Sequence, residues 1–118
     1  MTLAGTIAAE LNNAGIADLG RAYAFYIPAS SLVEKKTLIA VSEVMQVPTE
    51  HGSNVYNQLV KQIQVKICYP SNTVDADAFE KSITSFFIRQ KWQRNSDSGH
   101  YVDDQNRIEI DLFFTRRD

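Results

Sequence analysis

Hydrophobic residues recur at helical spacing over Thr2 to Ala14, where Leu3, Ile7, Ala8, Leu11 and Ala14 fall on one stripe. Thr2 is placed to cap this helix and Gly15 to stop it. Ala22 to Ile27 (AYAFYI) reads as a brief aromatic strand ended by Pro28, and Pro28 to Lys36 as an exposed connection. Thr37 to Val47 (TLIAVSEVMQV) is rich in β-branched residues and apolar on both sides apart from Ser42, Glu43 and the flanking Thr37 and Gln46. Such a strand is expected to be covered on both faces. After the turn-rich TEHGSN, Asn54 to Tyr69 resumes as a long strand. Within it Ile63, Val65, Ile67 and Tyr69 point one way, and Gln62, Gln64, Lys66 and Cys68 the other. The segment Pro48 to Asn57 between the two strands exceeds a minimal two-residue turn, so the hairpin tip should project.

Pro70 stops the strand, and a second helix follows from the capping signals of DADAFE, with Asp77 and Glu80 at capping-box spacing and Asp75 near the positive helix end. Phe79, Ile83, Phe86 and Phe87, with Trp92 beyond them, supply its large apolar side. A short strand near His100 to Val102 and a turn over Asp103 to Asn106 lead into Arg107 to Thr115. There Ile108, Ile110, Leu112 and Phe114 alternate with Arg107, Glu109, Asp111 and Phe113. The order α-β-β-β-α-β-β predicts one α+β domain over residues 1–118, with two helices packed on one face of a mainly antiparallel sheet.

Composition narrows the class. A chain of 118 residues can bury roughly two thirds of the surface its unfolded form exposes. The single Cys68 cannot form an intramolecular disulfide, and no Cys/His cluster has zinc spacing, so a reducing compartment is expected. The opening MTLAGTIAAELNNAG lacks a signal peptide's basic start and continuous apolar core, and no apolar run is long enough to span a bilayer. Twelve Lys and Arg against fourteen Asp and Glu leave no large positive field for gripping phosphates.

Candidate chemistry is sparse. Glu50 and His51 are adjacent in the hairpin loop, but adjacency does not build an acid–base pair, and a solvated loop is expected. His100 with Asp103 and Asp104 has metal-ligating atoms, yet turn chemistry explains the segment. Cys68 lies mid-strand with no assigned base, so it is expected to be a bystander thiol. The glycines are scattered and form no phosphate loop. The reading is of a protein that is not an enzyme and needs no cofactor or metal. Apolar residues on polar surroundings point to contact instead: Phe113 on the face of Arg107, Glu109 and Asp111, and Val55 with Tyr56 beside the projecting loop. Glu50, His51, Val55, Tyr56 and Phe113 are therefore the candidate subunit interface.

The chain as a whole resembles a family. The segments PASSLVEKKTLIAVSEV, NQLVKQIQVKICYP, DADAFEKSITSFFIRQKW and RIEIDLFFTRR, in this order, are similar to small siphophage proteins encoded among the head-tail connection and tail genes. These proteins, long catalogued as of unknown function, look like tail terminators. The resemblance implies a virion structural protein that forms a hexameric ring, caps the tail tube and joins it to the head connector. Its partners would be itself, the tail tube protein and the head-connector protein, with no membrane. Its place would be the host cytoplasm during assembly and then the tail or neck of the virion. In such a ring Gln62, Gln64 and Lys66, or Glu109 and Asp111, would face a lumen through which DNA passes without specific binding. Another neck adaptor, or a small α+β ligand-binding domain, remains the alternative.

Overall fold

The computed structural model of the chain describes residues 2–28, 36–48, 59–70, 75–102 and 107–117. Thr2 opens helix α1 (Leu3–Asn13) as expected, its hydroxyl accepting the Gly5 N–H at 3.0 Å. The Glu43 carboxylate reaches the same helix end and accepts the Ala4 N–H at 3.1 Å, where the helix dipole favours negative charge. The buried stripe is Ala4, Ile7, Ala8 and Leu11. It is displaced from the expected one, with Leu3 only partly buried and Ala14 exposed, because two alanines let the helix lie close to the sheet. Gly15 follows with φ +68° and turns the chain away.

Helix α2 (Ala76–Arg89) is capped by Asp75, whose side chain accepts the Ala78 N–H at 3.1 Å. This corrects the capping box expected between Asp77 and Glu80: Glu80 is 8% exposed and spends its carboxylate elsewhere. The helix ends in a Schellman motif. Lys91 takes φ +69°, its N–H returns to the Ile88 carbonyl at 2.9 Å, and the Trp92 N–H returns to the Phe87 carbonyl at 3.0 Å. The accompanying apolar contact is Trp92 edge-on to Phe87, with ring centroids 6.4 Å apart.

Among the described residues there are six strands: β1 (Leu19–Ala24), β2 (Thr37–Pro48), β3 (Leu59–Cys68), β4 (Gln93–Asp97), β5 (Tyr101–Val102) and β6 (Ile108–Arg117). They form one sheet in the order β1-β2-β3-β6-β4, with β5 also paired to β6. Among the described residues, β1 and β2 are the only pair of neighbouring strands that runs parallel. The α+β class with two helices on one face of a mainly antiparallel sheet is thus borne out, and β4 adds to the expected elements. Polar throughout (QRNSD), β4 carries none of the alternation that marks the other strands.

Register puts Ile39 and Val41 of β2, Ile63, Val65 and Ile67 of β3, and Ile110, Leu112 and Phe114 of β6 on the helix-covered face. Phe79, Ile83, Phe86 and Phe87 of α2 pack on it together with Trp92, as the sequence pattern implies. Phe87 is fully buried, stacked on Phe114 at 4.5 Å and edge-on to Phe86 at 5.1 Å.

Two expectations are corrected, one of a boundary and one of burial. The first strand is Leu19–Ala24, not Ala22 to Ile27, because Phe25 adopts φ +72° and redirects the chain. Arg107 was expected on a wetted strand face but is 4% exposed, donating from Nε to the Tyr69 carbonyl at 3.0 Å and from Nη2 to the Lys36 carbonyl at 3.2 Å. Carbonyls left at two strand ends are the natural partners of a forked cation. At the far end of β6, Arg116 lies over the Trp92 ring at 4.5 Å.

Candidate functional site

The second sheet face is built by the residues that alternate with the core. Reading across β2, β3 and β6, its rows are Leu38, Cys68 and Glu109; Ala40, Lys66 and Asp111; Ser42, Gln64 and Phe113; and Val44, Gln62 and Thr115. Gln62, Gln64, Lys66, Glu109 and Asp111 therefore share one face. The two sets that sequence kept as alternatives are adjacent columns of a single surface, and Phe113 stands among them, half-buried.

The face is not uniformly wet. After β1, Phe25, Tyr26 and Ile27 turn across it and leave a cleft of about 360 Å³ above a floor of Ala40, Ser42, Gln64, Lys66 and Glu109. Three hydrogen bonds hold the turn: Phe25 N–H to the Val41 carbonyl at 2.7 Å, Tyr26 N–H to the Ala24 carbonyl at 2.9 Å, and the Ser42 hydroxyl to the Phe25 carbonyl at 3.3 Å. A bulky residue at positive φ persists only where such contacts over-determine it. Phe25 and Tyr26 remain 49% and 71% exposed. In the sequence AYAFYI carries strand propensity throughout, which does not reveal the turn that Phe25 makes.

On the β6 side Tyr101 donates its hydroxyl to Asp111 Oδ2 at 3.0 Å. Burial first, then the Asp111 hydrogen bond and the charges of Asp111 and Glu109, push its phenol well above the ordinary range. The Asp111 N–H donates to Ser98 Oγ at 3.0 Å, and the Ser98 N–H donates to the Asp111 carbonyl at 2.9 Å, so this carboxylate is held in place. At the turn into β5, Asp97 accepts the Gly99 N–H at 2.8 Å and Arg94 at 2.9 Å. Both interactions hold its carboxyl below the usual range. Cys68 is fully buried at one end of the face, which corrects its placement on a wetted polar side.

A second constellation, which sequence reasoning missed, links α2 to the β5 segment. Glu80 Oε2 accepts the Tyr69 hydroxyl at 2.6 Å and lies 2.7 Å from His100 Nε2. Burial, followed by the hydrogen bond and charge of Glu80, pushes the Tyr69 phenol far up. The three residues are scattered along the chain, and Glu80 resembled a cap, so no local pattern could join them. The arrangement is a satisfied buried carboxylate tying two elements together. Among the described residues, no group of three or more His, Cys, Asp and Glu is arranged to hold a metal ion. Glu50, His51, Val55 and Tyr56, the projecting tip and the Asp103 to Asn106 turn lie outside the described residues.

What the open face can do chemically is present amides, carboxylates and one ammonium on a rigid three-strand floor beside an aromatic wall. It offers polar groups for adhesion and hydration. A family model described as a protein of unknown function (DUF806) matches residues 5–117. No curated protein matches the chain.

Proposed function

We propose, for a chain that belongs to the DUF806 family, that it is a bacteriophage virion structural protein of the tail terminator type. Subunits associate into a ring, in which the helix-covered side faces outward and the open sheet face borders the bore. The ring caps the tail tube and receives the head connector. The observation that carries the reading is the gathering of Gln62, Gln64, Lys66, Glu109 and Asp111 on one face opposite the helices, on a chain whose whole pattern resembles tail terminators. A mixed wall suits a conduit. A strongly basic lining would hold the phosphate backbone through counterion release, whereas amides beside carboxylates let it slide.

The test is to delete the gene from a producing phage or prophage and measure tails by electron microscopy, with a labelled copy used to locate the protein. Tails of unregulated length that do not join heads, together with label at the head-proximal end, support the reading. Normal tails of normal length overturn it.

The cleft beneath Phe25 to Ile27 favours a second reading, a small ligand-binding domain, since about 360 Å³ falls within the range of small-molecule sites. A chain that stays monomeric at all concentrations and is absent from tails would favour it.

A further inference from the structure

Among the described strands, the sheet ends on β1 at one side and on β4 at the other, where β5 also pairs with β6. An edge strand presents unpaired N–H and C=O groups, a template for another strand. In β1 the residues of one parity bond to β2 and those of the other point outward, Ala22 among them. Both outward groups of Ala22 are already taken: its N–H donates to Asn12 Oδ1 at 2.8 Å, and its carbonyl accepts Asn12 Nδ2 at 3.0 Å. A carboxamide that satisfies both groups of one residue imitates the pairing of a neighbouring strand. Asn12 belongs to the last turn of α1 and is itself exposed, so its side chain can leave Ala22 for water.

We infer that the outer edge of β1 is a strand-docking site held shut by Asn12, and that its occupant is β4 of a second copy of this chain. Three observations select that occupant. β1 and β4 are opposite edges of one sheet, so joining them head to tail repeats from copy to copy and closes a ring when the rotation allows. β1 runs with β2, while β3, β6 and β4 alternate in direction, so β4 is antiparallel to β1. A rotation about an axis along the strands thus brings them together as the better-bonded antiparallel pair. Their lengths of six and five residues also match. The inference rests on the ring reading for closure and adds the joint and the latch: Asn12 keeps the free subunit from pairing until the exchange is favourable.

Sedimentation velocity over a series of protein concentrations tests this, with circular dichroism to confirm folding. In Asn12→Ala the edge is open from the start, so assemblies should form at about tenfold lower concentration than wild type, because two hydrogen bonds no longer have to be exchanged. Adding Ala24→Pro removes an outward N–H two residues along β1, and the double variant should lose that gain. Should Asn12→Ala fail to fold, Asn12→Asp keeps the acceptor for the Ala22 N–H but loses the donor, and is expected to be intermediate. A folded Asn12→Ala or Asn12→Asp that associates no more readily than wild type overturns the inference, as does a double variant that associates as readily as Asn12→Ala. Electron microscopy separates it from the ring reading: closed rings support both, and open filaments support the edge pairing while counting against the ring.

Discussion

The two faces of the sheet obey different rules. Against the helices, Ile39, Val41, Ile63, Val65, Ile67, Ile110, Leu112 and Phe114 form a continuous apolar floor that the chain closes by itself. On the opposite face, Lys66 pairs across to Asp111 and Gln64 to Phe113, and only part of the surface is roofed by Phe25 to Ile27. The first face answers to burial, which is proportional to apolar area and indifferent to partners. The second keeps polar groups that make no contribution to a core, and in the ring reading its composition follows from what it meets in use. If that contrast is right, substitutions on the covered face should be read in stability and those on the open face in assembly.

The largest stability loss is expected from Phe87→Ala. Phe87 is fully buried and touches Phe114, Phe86 and Trp92, and truncating such a ring costs about 3–5 kcal/mol. Against a total stability of about 5–15 kcal/mol for an ordinary domain, this removes much of the margin. Urea denaturation should show the midpoint falling with little change in slope. An unchanged midpoint would break the comparison at its stronger side.

Next comes Tyr69→Phe, which takes one of two donors from the buried Glu80 carboxylate. The expected cost is about 1–3 kcal/mol, the penalty for leaving a buried acceptor short of a partner. The pH dependence follows from the raised phenol. An unfolded tyrosine loses its proton near the ordinary value of 10.0, while the folded one keeps it. Tyr69's contribution is therefore whole below that value and declines as pH rises above it, because the unfolded state then binds fewer protons. Wild-type stability should fall on the alkaline side, and the fall should be shallower in Tyr69→Phe. Equal slopes in both proteins would detach Tyr69 from that decline.

A smaller effect is expected from Lys66→Glu on the open face. The position is partly exposed and lies beside Asp111, so like-charge repulsion there should cost no more than about 1 kcal/mol. In the ring reading, the readout that moves is assembly and DNA passage, measured by ring yield and the fraction of filled, tailed particles. A large loss of melting temperature with normal rings would reverse the roles given to the two faces.

These contrasts also explain what could be read in advance. Phe79, Ile83, Phe86 and Phe87 announce themselves because helix period and burial coincide, and β3 and β6 because strict alternation survives one buried face. The fold class follows from those signals alone. What stayed hidden depends on register and on distant partners. That Lys66 stands beside Asp111 requires the β3–β6 alignment. That Glu80 serves Tyr69 and His100, and that Arg107 closes on Tyr69 and Lys36, requires the tertiary fold. Asn12, a residue type that periodicity treats as a neutral surface position, acquires its role only when α1 lies along β1. β4 hid for the opposite reason, since an edge strand made polar on both sides resembles a loop.

The smallest expected change in stability, and the sharpest test of the contrast, is Phe25→Gly. On the covered face, removing a phenyl ring always destabilises. Phe25 differs in two respects: its side chain is half exposed, and its backbone sits at φ +72°. Holding a non-glycine residue there costs on the order of 1 kcal/mol, which glycine avoids. Glycine also frees the unfolded chain, and the ring's remaining contacts are lost, so the terms offset. The melting temperature should shift by no more than a few degrees in either direction, a range that corresponds to about 1 kcal/mol in a domain of this size. If the aromatic wall serves assembly, ring yield should nonetheless fall, because the cleft keeps its floor of Gln64, Lys66 and Glu109 but loses the Phe25 ring from its roof, leaving Tyr26 and Ile27. A stable Phe25→Gly protein with full ring yield would show that the strained turn is retained for the path of the chain alone. A severe loss of stability would place Phe25 with the core residues and erase the distinction between the faces at this point.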